Sequence, residues 1–312
     1  MKNTKAILDT PRRMDFVLEP EATDQKNGVV HVLMKPDPRR HERITVEGEE
    51  YYRDVFLNEL VSVNAVHEQM ESKLQNLPIH NLSPRIESST RYAEARNAAL
   101  KQEMLSGTYV GPDETPRDHK GLEPSEDRRW IGFVSVDICK STHLSVENQQ
   151  NYAEAYELFF REMGTLVGQF NGEVFKATGD GYVAFIDHPS FTRVADNLID
   201  FGMSSIALLE RSINPNLESR KLPKLLMRVG AECGWATIGK LEVAATGFSS
   251  VDISSIAINQ AVKIEGSAGV NQLRIGQALY ATSHIDWMLR CEETSFDGNL
   301  VGDDEFKVYS VC

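Results

Sequence analysis

The spacing of apolar side chains changes character near residue 130 of this chain. Trp130 to Ile138 is a nearly continuous apolar run with β-branched and aromatic residues, which is typical of a buried strand. From residue 146 to 170, apolar side chains recur every three or four positions and predict an amphipathic helix. A strand, a tight turn and a second strand follow over residues 173–185, and a second long helix is predicted over 190–213.

The remainder of the chain continues this mixed pattern. Residues 225–232 are predicted to form a strand and residues 235–243 its partner. A helix over 254–266 and strands over 272–275 and 306–311 complete the order. From residue 130 onward, the predicted order is strand, helix, strand, strand, helix, strand, strand, helix, strand. Such alternation within one region indicates an α+β fold.

The first 128 residues have a different composition, rich in charged residues and proline. Short strands are predicted at 29–34 and 44–46. Helices are predicted along the apolar stripe from Leu60 to Leu77 and over 89–105. Glycines and prolines over 106–127 indicate a linker. The predicted domains are therefore 1–128, an N-terminal extension of unknown role with helices and a linker, and 129–312, the main domain.

Composition narrows the functional classes. The 312 residues carry a net charge of −13, which argues against a general nucleic-acid binder because phosphate backbones require a basic surface. The four cysteines are scattered and form no metal-ligand spacing, and no apolar run approaches the length that spans a membrane. The polar N-terminus lacks a signal core. The sequence therefore predicts a cytoplasmic protein with no membrane and no nucleic-acid partner.

Two aspartates lie near the ends of predicted strands. Asp137 ends the first strand, and Asp180 lies between Gly179 and Gly181 in a predicted hairpin turn. If both strands belong to one sheet, the two carboxylates meet at its edge. They would repel each other unless a positive group separates them, and a hard divalent cation is the usual solution. Helix capping by Asp137 and a turn role for Asp180 are the simpler structural alternatives.

Four motifs in this region resemble those of the class III nucleotidyl cyclase catalytic domain. They are Val136 to Thr142, Phe175 to Tyr182, Arg228 to Gly230 with Cys233 and Gly234, and Ile258 to Glu265. The resemblance covers about residues 130–283. It implies a ferredoxin-like βαββαβ palm domain with an N-terminal extension. It also implies an enzyme that converts a nucleoside triphosphate to a 3′,5′-cyclic nucleotide and diphosphate, a lyase reaction.

The resemblance assigns roles to particular residues. Asp137 and Asp180, with the Ile138 carbonyl, would hold two Mg²⁺ or Mn²⁺ ions per site. These ions lower the pKa of the ribose 3′-hydroxyl and neutralise the leaving diphosphate. Backbone N–H groups at the start of the next helix would bind the triphosphate; they belong to Cys139, Lys140, Ser141 and Thr142. Lys140 replaces a usual glycine.

Further roles concern the ribose, the α-phosphate and the base. Asn259 would orient the ribose, and Lys263 stands where the family usually carries an arginine that stabilises charge on the α-phosphate. Lysine keeps the charge but loses the bidentate fork of arginine. Lys176 and Asp252 match the residues that select adenine in adenylyl cyclases, which favours ATP and cyclic AMP.

A second resemblance favours a different base. Soluble cyclases of bacterial antiphage signalling make cyclic UMP or cyclic CMP from UTP or CTP, so a pyrimidine substrate stays a close alternative. In the class III family, the metal aspartates of one subunit face the base-reading residues of the other. The resemblance therefore implies a homodimer with shared active sites.

Two further hypotheses assign the protein to other functional classes. The lysine at position 263 favours a nucleotide-binding regulator without catalytic activity, whereas the presence of both aspartates argues against it. The stripe from Leu60 to Leu77 admits a dimerisation scaffold, although two heptads make a short seam. A scaffold would show no metal-dependent nucleotide binding.

Overall fold

The computed structural model of the chain describes residues 10–24, 29–75, 86–112 and 122–312. The chain forms two compact units. The larger comprises Met1–Pro11, Pro84–Ser283 and Arg290–Cys312, and the smaller comprises Arg12–Ser83 and His284–Leu289. The predicted boundary between residues 128 and 129 falls inside the larger unit, and the assignment of domains on either side of it stays a prediction.

The smaller unit combines two antiparallel sheets with helical segments. In chain order its elements are β1 (Phe16–Asp24), β2 (Val29–Pro36), β3 (His41–Val46), β4 (Glu49–Asp54), β5 (Glu59–Ser62), α1 (Val63–Gln75) and a short helix, Ile285–Met288. Strands β1 and β2 pair with each other, and β3, β4 and β5 form a second sheet. The buried Arg40 side chain donates to Asp15 and Asp54 at 2.9 and 2.7 Å. It thereby links the segment before β1 to the end of β4. The predicted stripe corresponds to α1, except that Leu60 lies in β5 and Leu77 lies outside the described residues.

The larger unit contains the predicted α+β region. In chain order its helices are α2 (Ser89–Ser106), α3 (Ser141–Glu147), α4 (Gln149–Gln169), α5 (Phe191–Leu208), α6 (Asn214–Ser219), α7 (Ile256–Ser267) and α8 (Gln277–Thr282). Its strands are β6 (Ser125–Ile138), β7 (Gly172–Ala177), β8 (Gly181–Asp187), β9 (Met227–Val243), β10 (Phe248–Ser254), β11 (Gln272–Gly276), β12 (Cys291–Thr294) and β13 (Val308–Val311). A π-helical turn, Leu209–Ile213, extends α5, and a 3₁₀ turn, Gly298–Val301, precedes β13.

These strands form one mixed sheet that confirms the predicted fold class. Within the described residues the strand order is β12-β13-β11-β9-β6-β8-β7, with β10 paired to β9. Strands β6, β7, β8 and β9 with their helices are the βαββαβ arrangement. They lie side by side as β7-β8-β6-β9, all antiparallel, which is the ferredoxin-like order.

Helices cover both faces of strand β6. A methyl group added at Gly132 would lie 2.9 Å from Leu198 and 3.0 Å from Val194, so α5 packs directly on this strand. The neighbouring residues Ile131 and Phe133 belong to an apolar cluster with Ala257 and Ala261 of α7 and Ile253 of β10. Alternation of side chains along the strand explains the two faces. The buried strand predicted from Trp130 to Ile138 is thereby confirmed.

One predicted hairpin is wrong. Residues 225–232 and 235–243 are not partners, because residues 227–243 form the single long strand β9, and the partner of its second half is β10. Gly234 lies inside the strand, where it permits close packing: a methyl group there would lie 3.0 Å from Ala257 of α7. A glycine inside a strand can mark a close approach of another element as well as a turn.

The predicted helices occur, with shifted ends. Helix α4 begins after Asn148, whose side chain accepts a hydrogen bond from the Asn151 N–H at 3.0 Å, and a separate short helix, α3, precedes it at the place where the resemblance implies a helix after Asp137. The helix predicted over 190–213 is α5 followed by the π-helical turn. None of the described helices combines the length and the apolar content needed to cross a membrane.

A buried carboxyl group makes folding of the larger unit sensitive to pH. Burial raises the pKa of Glu232 to about 7, although the N–H groups of Cys233, Leu279 and Ala278 donate to it. The unfolded chain loses this proton near the ordinary value of 4.5, while the folded chain keeps it until about 7. The free energy of unfolding should therefore fall by up to about 3 kcal/mol as the pH rises from 5 to about 8.

The Glu232→Gln variant tests this expectation by urea unfolding at several pH values. The native chain should lose stability across this interval more steeply than the variant. Asp200 and Glu265, whose pKa values burial also raises to about 7, remain in both proteins, so the difference between the two curves isolates Glu232. Parallel curves would contradict the assignment.

Candidate active site

Strand β6 lies between β8 and β9, and its last residues carry Asp137 to the edge of the sheet. Asp137 is opposite Gly181 on β8 and opposite Arg228 on β9. A methyl group at Gly181 would lie 2.0 Å from the Val136 carbonyl oxygen, so only glycine permits this approach of the two strands. The Ile138 N–H donates to the Asp180 carbonyl at 3.2 Å, which fixes the Asp180 turn beside the end of β6.

The carboxyl groups of Asp137 and Asp180 meet at this edge. Burial raises the pKa of Asp137, and the Asp180 carboxylate raises it further through its charge and a hydrogen-bonding contact. The Arg228 guanidinium acts in the opposite direction. The Ser141 hydroxyl donates to Asp180 Oδ2. Two carboxyl groups that share one edge and repel each other form a natural position for a cation.

Arg228 and Glu265 are two charged residues of this site to which the sequence analysis gave no role. Arg228 Nη2 lies 2.5 Å from Asp137 Oδ2, and Arg228 Nε lies 3.1 Å from Glu265 Oε1. Burial raises the pKa of Glu265 to about 7, Asp137 and Asp180 add to the rise, and Arg228 opposes it. The guanidinium therefore holds two carboxyl groups that would otherwise repel each other.

Gly230 makes the contact between Arg228 and Glu265 possible. A methyl group at Gly230 would lie 2.1 Å from the Glu265 backbone nitrogen and 2.4 Å from the Ala261 carbonyl oxygen. Helix α7 can therefore approach β9 only because residue 230 has no side chain. The close packing brings Glu265 to Arg228, which lies two residues before Gly230 on the same strand.

The donor set fits a hard divalent cation that also binds substrate. In the described part of the chain, no group of three or more His, Cys, Asp or Glu side chains could hold a metal ion. A cation between Asp137 and Asp180 would take further ligands from the Ile138 carbonyl, phosphate oxygens and water. Mg²⁺ commonly binds in this manner, through one or two carboxylates and the phosphates of a substrate.

The segment after Asp137 leads into helix α3, which begins at Ser141. The Cys139 N–H donates to the Leu226 carbonyl at 2.8 Å, so this donor serves the fold. The predicted phosphate contacts then depend on residues 140–142. Lys140 has a left-handed backbone with φ of 60°, a conformation that glycine adopts without cost. The structure thus explains the glycine expected there from the resemblance.

The remaining predicted residues lie around a separate apolar cluster. Phe175, Ile253 and Ile258 belong to one cluster over β6 and β9. Their chain neighbours are three of the predicted substrate-binding residues: Lys176, Asp252 and Asn259. Lys263 lies four residues after Asn259, on the same face of α7, and both are exposed. In the residues that the structure describes, no hydrogen bond or ion pair joins these four side chains to Asp137 or Asp180.

Comparison with solved structures identifies the fold. The guanylyl cyclase Cya2 is 19% identical over 59% of this chain and 92% of that chain, with a TM-score of 0.51. The adenylyl cyclase CyaB from P. aeruginosa is 18% identical over 60% of this chain and 95% of that chain, with a TM-score of 0.52. This chain has the fold of a class III nucleotidyl cyclase catalytic domain. No protein-family model and no curated protein matches the sequence.

The sequence identified only part of this site, because some of its contacts form only when the class III cyclase fold pairs residues that are distant in the chain. The two aspartates are recognisable because each follows an apolar strand within a motif. The contact of Arg228 with Asp137 depends on the pairing of β6 with β9, 91 residues apart in sequence. The signal that could have pointed to Arg228 was its place in a matched motif, two residues before Gly230.

Lys140 offers a test that separates backbone strain from phosphate binding. A left-handed non-glycine residue costs roughly 1 kcal/mol, so Lys140→Gly should stabilise the fold by about that amount. It should also weaken binding of inorganic tripolyphosphate, because a cation next to the site is lost. Urea unfolding and calorimetric titration measure the two effects.

Lys221 provides the matched control, since it is a lysine with φ of 58° outside the predicted site. The Lys221→Gly variant should gain similar stability and leave tripolyphosphate binding unchanged. Equal binding by the native chain and Lys140→Gly would assign Lys140 to the solvated surface.

Proposed function

We propose that this chain is a nucleotidyl cyclase that converts a nucleoside triphosphate to a 3′,5′-cyclic nucleotide and diphosphate. The observation that carries the proposal is the convergence of Asp137 and Asp180 at the edge of a class III cyclase sheet. A turn residue and a helix cap would have no reason to share such a position. The simpler structural alternative therefore accounts for each aspartate but not for the pair.

Asp137, Asp180 and the Ile138 carbonyl would hold the Mg²⁺ or Mn²⁺ ions, two per site. When bound, such ions neutralise the triphosphate and lower the pKa of the ribose 3′-hydroxyl that attacks the α-phosphorus. The two carboxylates fix the position of this positive charge. Residues 140–142 lie directly after them and would bind phosphate oxygens.

Two cationic side chains would complete the electrostatics of phosphoryl transfer. Arg228 lies against Asp137 and is one-third exposed, so it can follow the phosphates once cations neutralise its carboxylate partners. Lys263 would stabilise the charge that develops on the α-phosphate. An ammonium group acts there as a point charge, without the bidentate geometry of a guanidinium.

In the described part of the chain, the two groups of residues share no hydrogen bond or ion pair, which supports a shared site in a homodimer. Lys176, Asp252 and Asn259 would read the base and ribose in one subunit beside Asp137 and Asp180 of the other. The hairpin of β9 and β10 that carries Asp252 exposes large apolar side chains, and a second copy would cover them. They are Leu241, Val243, Phe248 and Val251.

ATP is the proposed substrate, because Lys176 and Asp252 match the adenine-reading pair. The decisive experiment incubates the purified chain with Mn²⁺ and each of ATP, GTP, CTP and UTP, and identifies the products by mass. Cyclic AMP supports the full proposal. Cyclic UMP or cyclic CMP supports the pyrimidine alternative and an antiphage role. Absence of a cyclic product with all four overturns the enzyme assignment and favours a silent regulator.

The base assignment leads to a specific prediction. Guanylyl cyclases have Glu and Cys at the positions that correspond to Lys176 and Asp252. The double change Lys176→Glu with Asp252→Cys should therefore shift the ratio of kcat/KM values from ATP towards GTP. Two lost or reversed hydrogen-bonding groups correspond to a change of roughly 10-fold or more. Steady-state kinetics with both nucleotides measure the shift. An unaltered substrate ranking would mean that the base is read elsewhere.

A further inference from the structure

Asp15, in the segment before β1, is the centre of a buried polar cluster in the smaller unit. Its carboxylate accepts from Arg13 Nε at 2.8 Å, from Arg40 Nη1 at 2.9 Å and from the Ile285 backbone N–H at 3.1 Å. Ile285 begins the short helix Ile285–Met288, which lies between α8 and β12 in the chain. One carboxylate therefore links the N-terminal part of the chain to a segment 270 residues later.

His41, the first residue of β3, holds the backbone of Asp15. The Asp15 N–H donates to His41 Nε2 at 3.2 Å, and the Asp37 N–H donates to the Asp15 carbonyl at 2.8 Å. A ring nitrogen that accepts a hydrogen bond carries no proton, so the proton of the neutral imidazole is on Nδ1. His41 is 4% exposed, and in the described part of the chain its Nδ1 is buried without a hydrogen-bond partner. The cluster is therefore built around a neutral histidine.

Protonation of His41 is incompatible with its contact to Asp15. An imidazolium donates from both nitrogens, so Nε2 could no longer accept from the Asp15 N–H. Burial lowers the pKa of His41, and the positive charge of Arg40 lowers it further. The carboxylates of Asp54, Asp15 and Asp37 oppose this shift without reversing it. The stability that neutral His41 contributes is therefore present above the ordinary value of 6.5 and is lost as the pH falls below it.

The other charged groups of the cluster pair with one another: Arg13 with Asp15, Arg39 with Asp37 and Asp286, and Arg40 with Asp15 and Asp54. Each of these carboxylates already has a cationic partner, so an imidazolium at position 41 meets no unpaired counter-charge among them.

His284 is a second histidine beside Asp15. Its Nε2 lies 3.8 Å from Asp15 Oδ1, its Nδ1 accepts from the Asp286 N–H at 3.2 Å, and its side chain is one-third exposed. A protonated His284 would form an ion pair with Asp15. Its protonation would therefore add a contact to Asp15, whereas protonation of His41 removes one.

We propose that His41 and Asp15 form an acid-sensitive switch that holds the segment His284–Leu289 in the smaller unit. Neutral His41 keeps Asp15 where its carboxylate accepts from the Ile285 N–H. Protonation of His41 removes the acceptor of the Asp15 N–H, and the carboxylate then no longer holds the start of the short helix. Because this segment connects α8 to β12, its release frees a connection between two elements of the larger unit. The inference does not depend on the proposed function.

Hydrogen exchange of the full chain, followed by mass spectrometry of peptides that cover residues 284–289, tests the switch. Protection in this segment, corrected for the intrinsic effect of pH on exchange, is compared at about pH 7.5 and about pH 5. In the native chain it should fall by about 10-fold for each unit by which the fold lowers the pKa of His41. His41→Gln places an amide oxygen near the position of Nε2 and does not titrate, so this variant should keep its protection at both pH values.

Comparison of the two proteins at each pH isolates His41, since both retain Glu232, whose pKa burial raises to about 7. His284→Gln is the matched control, because it removes the other histidine beside Asp15 and should lose protection in acid as the native chain does. Loss of the pH dependence in His284→Gln, with its persistence in His41→Gln, would make His284 the sensor and overturn the proposal.

The native chain alone also gives a decisive result if His41→Gln does not fold. Its protection over residues 284–289 should begin to fall near pH 6.5, with the slope of a single proton. Protection that is constant down to about pH 5 and falls only below it would belong to carboxylates and would overturn the switch. No nucleotide enters this measurement, so its outcome is separate from that of the enzyme assignment.

Discussion

Replacing Asp180 with asparagine should lower the rate of cyclic nucleotide formation by about 10³-fold or more, because a cation contributes several kcal/mol to stabilising phosphoryl transfer. Asparagine keeps an oxygen that accepts from Ser141 and removes the charge that binds the cation. The fold should persist, since loss of one negative charge relieves the repulsion that helps to raise the pKa of Asp137. Asp137→Asn should cause a similar loss. Release of diphosphate with Mn²⁺ and the preferred triphosphate measures both variants.

Asp200→Asn is the control for this prediction. Asp200 is also a partly buried carboxyl group with a pKa raised by burial, to about 7, but it lies on α5, and no hydrogen bond or ion pair among the described residues joins it to the site. Its variant should retain native turnover. Undiminished activity in either Asp137→Asn or Asp180→Asn would refute the metal-binding assignment, whereas an equal loss in Asp200→Asn would point to a general effect of buried charge.

The sequence predicted the part of this molecule that depends on local pattern. The apolar run ending at Asp137 and the helical spacing of α4 and α5 predicted the order of elements and the α+β class, whereas the ferredoxin-like arrangement followed from the resemblance to class III cyclases. The long strand β9 was predicted as two paired strands, on either side of Gly234. Gly234 instead allows Ala257 of α7 to approach the strand, a contact between residues distant in sequence that a local pattern does not show.

The residues of the candidate site could also be predicted only in part from the sequence. Asp137 and Asp180 could be identified because each stands at the end of a strand within a recognisable motif. Arg228 and Glu265 could not, since their contacts depend on register and on helix packing. Arg228 meets Asp137 only when β6 and β9 pair in register, and Glu265 reaches Arg228 only because Gly230 admits α7. Distances between strands are not contained in a local pattern.

The second prediction concerns the free energy of unfolding of the larger unit and the predicted domain boundary at residue 128. Arg96 of α2 forms a bidentate pair with Glu162 of α4, at 2.8 and 3.0 Å, and both side chains are almost fully buried. Arg96→Met should therefore lower the free energy of unfolding by about 3–5 kcal/mol, because the buried Glu162 would lose its bidentate partner and keep only the longer contact with Arg161 Nε, at 3.4 Å. Urea unfolding measures the change. The double variant with Glu162→Met should recover most of the loss, since two apolar side chains can replace a buried ion pair.

The same pair makes the predicted boundary at residue 128 testable. A chain that begins at residue 129 retains Glu162 and lacks Arg96, so it should be destabilised by at least as much as Arg96→Met. The truncated chain carrying Glu162→Met should regain part of that stability, which a general effect of truncation would not produce. If the truncated chain is as stable as the full chain, α2 is dispensable for the catalytic fold. If it is not, the cyclase-like fold requires α2, because the buried carboxylate of Glu162 takes its bidentate partner from that helix.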